Sequence, residues 1–129
     1  MAQEPVGAVL HAAGVLRDRM MRELSTNDLD ASFAPKAAGA AHLHNATGAR
    51  QQLDTYGFFS SVTSTLGNVG QANYSAAKMG ILGLSKSIAL DMARYQVRSN
   101  CISPFAWSRM IGSIPTNTPE QSERVEKLK

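Results

Sequence analysis

The sequence predicts an α/β fold in which a partial doubly wound parallel sheet has the order β-α-β-α-β and precedes the start of a C-terminal helix. Three observations predict this class. Short apolar runs alternate with long helical stretches, these runs lack the polar alternation of half-exposed strands, and each ends at small or polar residues. Strands joined by crossover helices run parallel. We therefore expect residues 1–129 to form one partial domain.

The first strand and the first crossover helix are predicted within the first 47 residues. The strand covers residues 6–10, an almost wholly apolar run that we expect to be buried on both faces. The helix covers residues 24–47, and Ser25 or Thr26 caps its start. Asp28 lies in its first turns, where an acidic side chain suits the helix dipole.

The rest of the chain repeats the strand–helix alternation. The second strand covers residues 56–61, a polar glycine-containing loop covers 63–70, and a second long helix covers 72–95. The third strand covers residues 98–103, and Pro104 stops it. This unit is one half of a Rossmann-like nucleotide-binding fold.

A last helix is predicted to begin at Thr118, with Pro119 in the first helical position and Gln121 closing a capping box. No glycine-rich phosphate loop precedes the first strand, because residues 7–9 (Gly-Ala-Val) contain too few glycines and no helix follows them. We therefore expect a domain that lacks the N-terminal, glycine-rich cofactor half.

The second long helix is apolar nearly all round, which predicts that it is covered on more than one side. One side would lie on the sheet. The other would contact a partner subunit in a homo-oligomer formed through the two long helices, or be buried inside a larger monomer. Small residues on this helix would allow close backbone approach: Ala76, Ala77, Gly80 and Gly83.

Composition excludes several classes of protein. Apolar residues make up 43% and charged residues 18%, as in soluble globular proteins. The net charge of +3 is scattered and aromatics are only 6%, so we expect no nucleic-acid partner. No apolar run approaches the ~20 residues of a membrane span. The chain start resembles no secretory signal and Cys101 is the only cysteine, so we expect a cytoplasmic protein.

Three side chains form a candidate catalytic group. Tyr74 and Lys78 are four residues apart on one helix, so they share a face. A tyrosine in water ionises near pH ~10, and a nearby ammonium stabilises the ionised phenol. Ser61 ends the preceding strand, at the edge where parallel sheets bind ligands. We expect no metal site, since His42 and His44 lie on different helix faces.

The same residues carry a family resemblance. Ser60 and Ser61, followed by residues 70–78 (Gly-Gln-Ala-Asn-Tyr-Ser-Ala-Ala-Lys), resemble the active-site stretch of short-chain dehydrogenases/reductases. Residues 11–14 (His-Ala-Ala-Gly) resemble the element after the fourth strand in polyketide synthase ketoreductases. Residues 100–104 (Asn-Cys-Ile-Ser-Pro) resemble the sixth strand of the family.

The resemblance implies hydride transfer between a nicotinamide and a carbonyl or alcohol carbon. It makes Tyr74 the general acid in reduction, while Ser61 polarises the carbonyl oxygen. Lys78 would bind the nicotinamide ribose and favour ionisation of the phenol. Further cofactor contacts are implied at five positions, with adenosine near the first three and nicotinamide near the last two: Ala12, Ala13, Gly14, Pro104 and Ser108.

One position departs from the common pattern of the family. Many members have asparagine where Lys36 stands, whereas polyketide ketoreductases carry lysine there and asparagine four residues after the tyrosine. This chain has lysine at both positions, Lys36 and Lys78. Two ammonium groups would both act on the same phenol and would repel each other. We treat Lys36 as a fourth candidate catalytic residue.

The resemblance predicts an NAD(P)-dependent oxidoreductase that reduces a 3-oxoacyl thioester to the 3-hydroxyacyl form. Its cofactor would be NADP or NAD, and the resemblance favours NADPH. One alternative is a dehydrogenase that oxidises a hydroxyacyl-CoA or another alcohol. A second alternative is an inactive truncated fragment or an interaction fragment of such an enzyme, because the glycine-rich turn that binds pyrophosphate is missing.

Overall fold

The structure, a computed structural model, describes residues 6–48, 53–104 and 117–127. It contains a three-stranded parallel sheet whose strand order β1-β2-β3 follows the chain. The strands are β1 (Ala8–His11), β2 (Thr55–Phe59) and β3 (Arg98–Ile102). Each strand matches a predicted one to within two residues at either end. The α/β class predicted from the sequence is confirmed.

The first crossover helix consists of three consecutive pieces. They are α1 (Thr26–Phe33), a π-helical segment (Ala34–Ala38) and α2 (Gly39–Gly48). Ser25 is the N-cap, and its side chain forms a reciprocal capping box with Asp28. This arrangement satisfies backbone N–H groups that have no partner in the first turn. The sequence predicted the start and extent of this helix, but not its π-helical centre.

The second crossover contains a short helix before the long one. The predicted loop 63–70 was wrong in part, because its first half forms α3 (Thr63–Leu66). The long helix α4 (Ala72–Asp91) follows, and a 3₁₀ turn (Ala93–Tyr95) completes the predicted helical stretch. No helix among the described residues is long and apolar enough to cross a bilayer.

The C-terminal helix α5 (Pro119–Glu126) begins as predicted. Thr118 is its N-cap, Pro119 occupies the first turn, and Gln121 closes the capping box. Proline is tolerated there because its missing N–H would have no partner in the first turn.

The two faces of the sheet differ in burial. Because the strand order follows the chain order, right-handed crossovers place both connecting helices on the same face. On that inner face the Tyr56 and Phe58 rings stack with centroids 5.6 Å apart. The main core cluster consists of Ala40, Leu53, Tyr56, Phe58, Ile81, Ile88 and Val97.

The outer face of the sheet, which carries no crossover helix, is more exposed than the sequence predicted. Alternate residues of β1 are exposed, and the Leu10 side chain is 72% exposed. Ile102 on β3 is 51% exposed. The expectation that the first strand is buried on both faces is therefore wrong for the described chain, because both crossovers pack on the inner face.

Candidate active site

The predicted site residues lie at the carboxyl ends of the three strands. Ala12, Ala13 and Gly14 follow β1 and are exposed. Ser61 follows β2 and is half-buried, and Pro104 follows β3 and is exposed. These ends share one edge of the sheet because all three strands are parallel. Ser108 lies outside the described residues.

Tyr74 lies in the first turn of α4 with two lysine side chains beside it. Its side chain is buried, with 8% relative exposure for the residue. The Lys36 Nζ is 5.3 Å from the centroid of the phenol ring, and the Lys78 Nζ is 5.8 Å from it. Both distances lie within the range of cation–π attraction. The structure thus brings together three of the four candidate catalytic side chains.

Lys78 is anchored to the end of β2. Its Nζ donates a hydrogen bond to the backbone oxygen of Phe59 at 2.6 Å, and the Ser60 hydroxyl donates to the backbone oxygen of Lys78 at 2.8 Å. These two bonds fix one turn of α4 against the strand that carries Ser61. Burial lowers the pKa of Lys78 from its ordinary value, and Cys101 opposes that shift.

Lys36 lies in the π-helical segment and is fully buried. Its Nζ donates to the backbone oxygens of Val15 and Ser32. Burial is the main cause that lowers the pKa of Lys36, and the Lys78 cation lowers it further. The direction of this second effect on the pKa of Lys36 is the one that repulsion between the two ammonium groups would give.

Two local features accompany the π-helical segment. Pro35 has no N–H and so removes one hydrogen bond from the helix. The Gly39 N–H donates to the backbone oxygen of Ala34, five residues earlier, and to that of Lys36. A Cβ at Gly39 would lie 3.2 Å from the Ala34 oxygen, closer than nine in ten such contacts. Glycine at position 39 thus permits the local geometry that carries Lys36.

His11 supports this segment, a role that the sequence did not reveal. Its Nε2 lies 3.0 Å from the backbone oxygen of Lys36, so the hydrogen bond requires the proton on Nε2. Its ring meets the edge of Phe58 at a centroid distance of 6.3 Å. His11 thereby joins the end of β1 to the segment that carries the buried lysine. Its place directly after the predicted first strand was the available signal.

Ser61 lies beside this group without a direct bond to it. Its Oγ accepts a hydrogen bond from the Thr63 N–H at 3.2 Å, at the start of α3. Within the described ranges, the Ser61 hydroxyl makes no hydrogen bond to Tyr74 or to either lysine. Its O–H can therefore donate to a ligand oxygen.

The segment after β1 is tied to the turn before α4. The Arg19 N–H donates to the backbone oxygen of Gly70 at 2.8 Å, and the Gln71 side-chain amide donates to Asp18 at 2.8 Å. Gly70 has a φ of 74°, in the left-handed region that favours glycine. These bonds hold residues 15–19 next to the start of the helix that carries Tyr74.

The donors and small residues at this edge suit a dinucleotide. Lys78 uses one of its three N–H groups on Phe59, which leaves donors for ribose hydroxyls. The exposed Ala12, Ala13 and Gly14 have little side-chain bulk to block a ligand. Within the described parts of the chain, no group of three or more His, Cys, Asp or Glu side chains is placed to hold a metal ion.

Comparisons with known proteins agree on one family. A profile of the KR domain matches residues 1–95. The chain is 36% identical over 127 residues to peroxisomal multifunctional enzyme type 2 of Mus musculus, covering 96% of this chain and 17% of that protein. It is 36% identical over 103 residues to an acetoacetyl-CoA reductase of Synechocystis, covering 78% of this chain and 43% of that protein.

A solved structure shares the fold. The crystal structure of a short chain dehydrogenase from Mycobacterium avium superposes with a TM-score of 0.72 at 34% sequence identity. The match covers 76% of this chain and 37% of that one. The chain thus spans less than half the length of each of these three proteins.

Proposed function

We propose a reaction for this chain from one premise: it belongs to the KR (ketoreductase) domain family of short-chain dehydrogenases/reductases. It is by family an oxidoreductase. The proposed reaction is the NAD(P)-dependent reduction of a 3-oxoacyl thioester to the 3-hydroxyacyl form. The observation that carries it is a buried tyrosine with two buried ammonium groups beside it, at the carboxyl edge of a parallel sheet.

The resemblance to the family gives each side chain a proposed role, which its position at the edge of the sheet supports. A bound nicotinamide supplies the hydride that reduces the carbonyl carbon. Tyr74 donates the proton that the carbonyl oxygen gains, and Ser61 donates a hydrogen bond to the same oxygen. The Lys78 and Lys36 cations stabilise the negative charge that remains on the phenol oxygen. Lys78 also holds the nicotinamide ribose.

The carboxyl edges of the other two strands complete the proposed cofactor site. Ala12, Ala13 and Gly14 would lie against the adenosine part, while Pro104 and Ser108 would contact the nicotinamide end. The cofactor preference stays a prediction, with NADPH favoured by the resemblance. A cytoplasmic location and self-association through the long helices also stay predictions, and the exposed side of α4 includes Met79 and Gly83.

The substrate class rests on relatives. The acetoacetyl-CoA reductase of Synechocystis is named for a 3-oxoacyl thioester, which supports this class for the present chain. The closest alternative is the reverse reaction on a 3-hydroxyacyl-CoA or another alcohol, which the same acid–base residue serves. A non-catalytic fragment of such an enzyme is the second alternative.

The substitution Tyr74→Phe tests the proposed reaction. We expect turnover of a 3-oxoacyl thioester with NADPH or NADH to fall by about 10²- to 10⁴-fold, the usual contribution of a general acid. The measurement is nicotinamide oxidation followed by absorbance, with the reverse reaction followed on a 3-hydroxyacyl thioester. Tyr95→Phe is the matched control, because Tyr95 is 47% exposed in the turn after α4.

The outcomes separate the alternatives. Loss of turnover in Tyr74→Phe but not in Tyr95→Phe supports the proposed reaction. Equal turnover in the wild type and Tyr74→Phe overturns the role of Tyr74. A folded wild-type protein that turns over no thioester and no alcohol in either direction supports the non-catalytic alternative.

A further inference from the structure

The asparagine that precedes Tyr74 is one of the most enclosed polar side chains in the described structure. Asn73 has no solvent exposure, although it lies in the first turn of a helix that begins near the surface. A buried amide is costly unless its donors and its acceptor are all paired. The partners of Asn73 therefore show what this side chain holds together.

Its amide nitrogen joins two neighbouring segments. The Nδ2 donates to the backbone oxygen of Arg17 at 2.7 Å, to the Ser32 hydroxyl at 2.9 Å and to the backbone oxygen of Asp28 at 3.3 Å. The amide has two N–H groups for these three acceptors, so one N–H group is shared between two of the acceptors. The segment after β1 and helix α1 are thus fixed to the same nitrogen.

Its amide oxygen holds the backbone of Tyr74. The Asn73 Oδ1 accepts the Tyr74 N–H at 2.8 Å. This N–H is among those at a helix start that have no intrahelical partner. Gln71, at the N-cap, makes no capping bond with its side chain, so Asn73 satisfies this donor from within the first turn.

We infer that Asn73 is a positioning residue that holds Tyr74 and Lys36 at their separation across the site; the inference rests on the proposed function. The link to Lys36 passes through Ser32. The hydroxyl of Ser32 accepts from Asn73, and its backbone oxygen accepts from the Lys36 Nζ at 3.1 Å. One buried side chain thus connects the phenol-bearing helix to the residue that anchors the second ammonium.

The first test is Asn73→Ala in the purified protein. Removing the amide frees the Tyr74 backbone and the segment at Arg17, so the phenol is misplaced relative to the reacting carbonyl. We expect kcat to fall on the order of 10- to 100-fold, the scale of a misplacement of about 1 Å, with a much smaller change in KM. Asn45→Ala is the matched control, since Asn45 is exposed on α2.

A double-mutant cycle separates positioning from general destabilisation. If Asn73 acts through Tyr74, Asn73→Ala should have little further effect on the residual rate in a Tyr74→Phe background. Equal fold-losses in the wild-type and Tyr74→Phe backgrounds would overturn the positioning role.

A second variant covers the case in which Asn73→Ala does not fold. Asn73→Asp keeps the shape and an oxygen for the Tyr74 N–H, but it loses the donors to Arg17, Asp28 and Ser32. Hydrogen exchange of the Tyr74 amide, measured by NMR, should be faster in Asn73→Ala and close to wild type in Asn73→Asp. The kcat of Asn73→Asp should also fall, because a carboxylate cannot donate to the backbone oxygens of Arg17 and Asp28.

The exchange measurement does not depend on turnover. A Tyr74 amide that exchanges equally in the wild type and Asn73→Ala overturns the inference, whatever the activity. If Asn73→Ala does not fold, an Asn73→Asp variant with the same kcat as the wild type overturns the inference. A wild-type protein without turnover defeats the proposed function, and amide exchange then still decides whether Asn73 holds Tyr74.

Discussion

At the scale of single residues, the site combines two buried cations, and removing a charged group from water costs free energy. Lys36 and Lys78 are both nearly inaccessible, and burial lowers the pKa of each. Each ammonium donates to backbone oxygens, which offsets part of the desolvation cost. A buried cation beside a second one is a costly arrangement that a purely structural role would not require.

Because burial lowers the pKa of Lys36, the free energy of unfolding is expected to depend on pH. The unfolded chain holds this proton up to pH 10.5, whereas the folded chain releases it at a lower pH because burial lowers the pKa. Between these two pH values folding expels a proton, so the contribution of Lys36 to the free energy of unfolding rises with pH. Below the folded pKa, both states are charged and the full burial cost remains.

The substitution Lys36→Met isolates this contribution. We expect the stability of the variant relative to the wild type to be highest at neutral pH and to fall as pH rises towards 10.5, because the wild type gains stability over that range. The measurement is urea unfolding of both proteins over a series of pH values. If the difference in free energy of unfolding between the two proteins stays constant across the pH series, the pKa of Lys36 is the same in the folded and unfolded states.

At the scale of elements, the π-helical segment decides where Lys36 lies. The Gly39 N–H bonds to Ala34 five residues back, and the space at its Cα is limited by that oxygen and by the His11 ring. π-helical turns of this kind are frequent at functional sites. The local backbone and the candidate site are therefore coupled through one glycine.

Two glycine substitutions test this coupling. Gly83→Ala on α4 should stabilise the protein by about 0.5–1 kcal/mol, since a Cβ there meets nothing within 4 Å and alanine favours helix. Gly39→Ala should give no such gain and should destabilise by about 1–3 kcal/mol, because its Cβ would lie only 3.2 Å from the backbone oxygen of Ala34. Thermal or urea unfolding measures both.

The comparison between the two variants provides the control. Both replace helical glycine by alanine, so helix propensity is common to them and only the local space differs. Equal stabilisation by Gly39→Ala and Gly83→Ala would show that the tight contact at Gly39 relaxes freely. It would also remove the structural reason for glycine at that position.

At the scale of the whole molecule, the sheet has one covered face and one open face. Leu10, Phe59 and Ile102 point to the same outer side, because the strand pairings align Leu10 with Gly57 and Phe59 with Ile102. We call these three residues the outer apolar patch. Leu10 and Ile102 are largely exposed. The short chain dehydrogenase from Mycobacterium avium shares this fold over 37% of its own length.

The outer apolar patch predicts binding of a hydrophobic fluorescent dye to the purified chain. Leu10→Gln should lower the dye fluorescence while leaving the urea midpoint nearly unchanged, since the side chain is 72% exposed. Leu90→Gln is the control, because Leu90 is 79% exposed near the end of α4, outside the outer apolar patch. Equal loss of fluorescence in both variants would contradict a contiguous patch.

The amino-acid sequence by itself determined the features that depend on local chemistry. It determined the order of strands and helices through apolar periodicity, and the starts of α1 and α5 through the capping residues Ser25 and Thr118. It also determined that Tyr74 and Lys78 share a face, because a spacing of four residues fixes this in any α-helix. Their catalytic roles remain predictions.

Only the tertiary structure decided how distant segments meet. That Lys36 lies beside Tyr74, and that His11 and Asn73 support that arrangement, depends on contacts across 25 to 56 residues of chain. The same holds for the open outer face, which follows from both crossovers packing on one side. No local pattern encodes such contacts, because burial and hydrogen bonding between remote segments are fixed only when the chain packs.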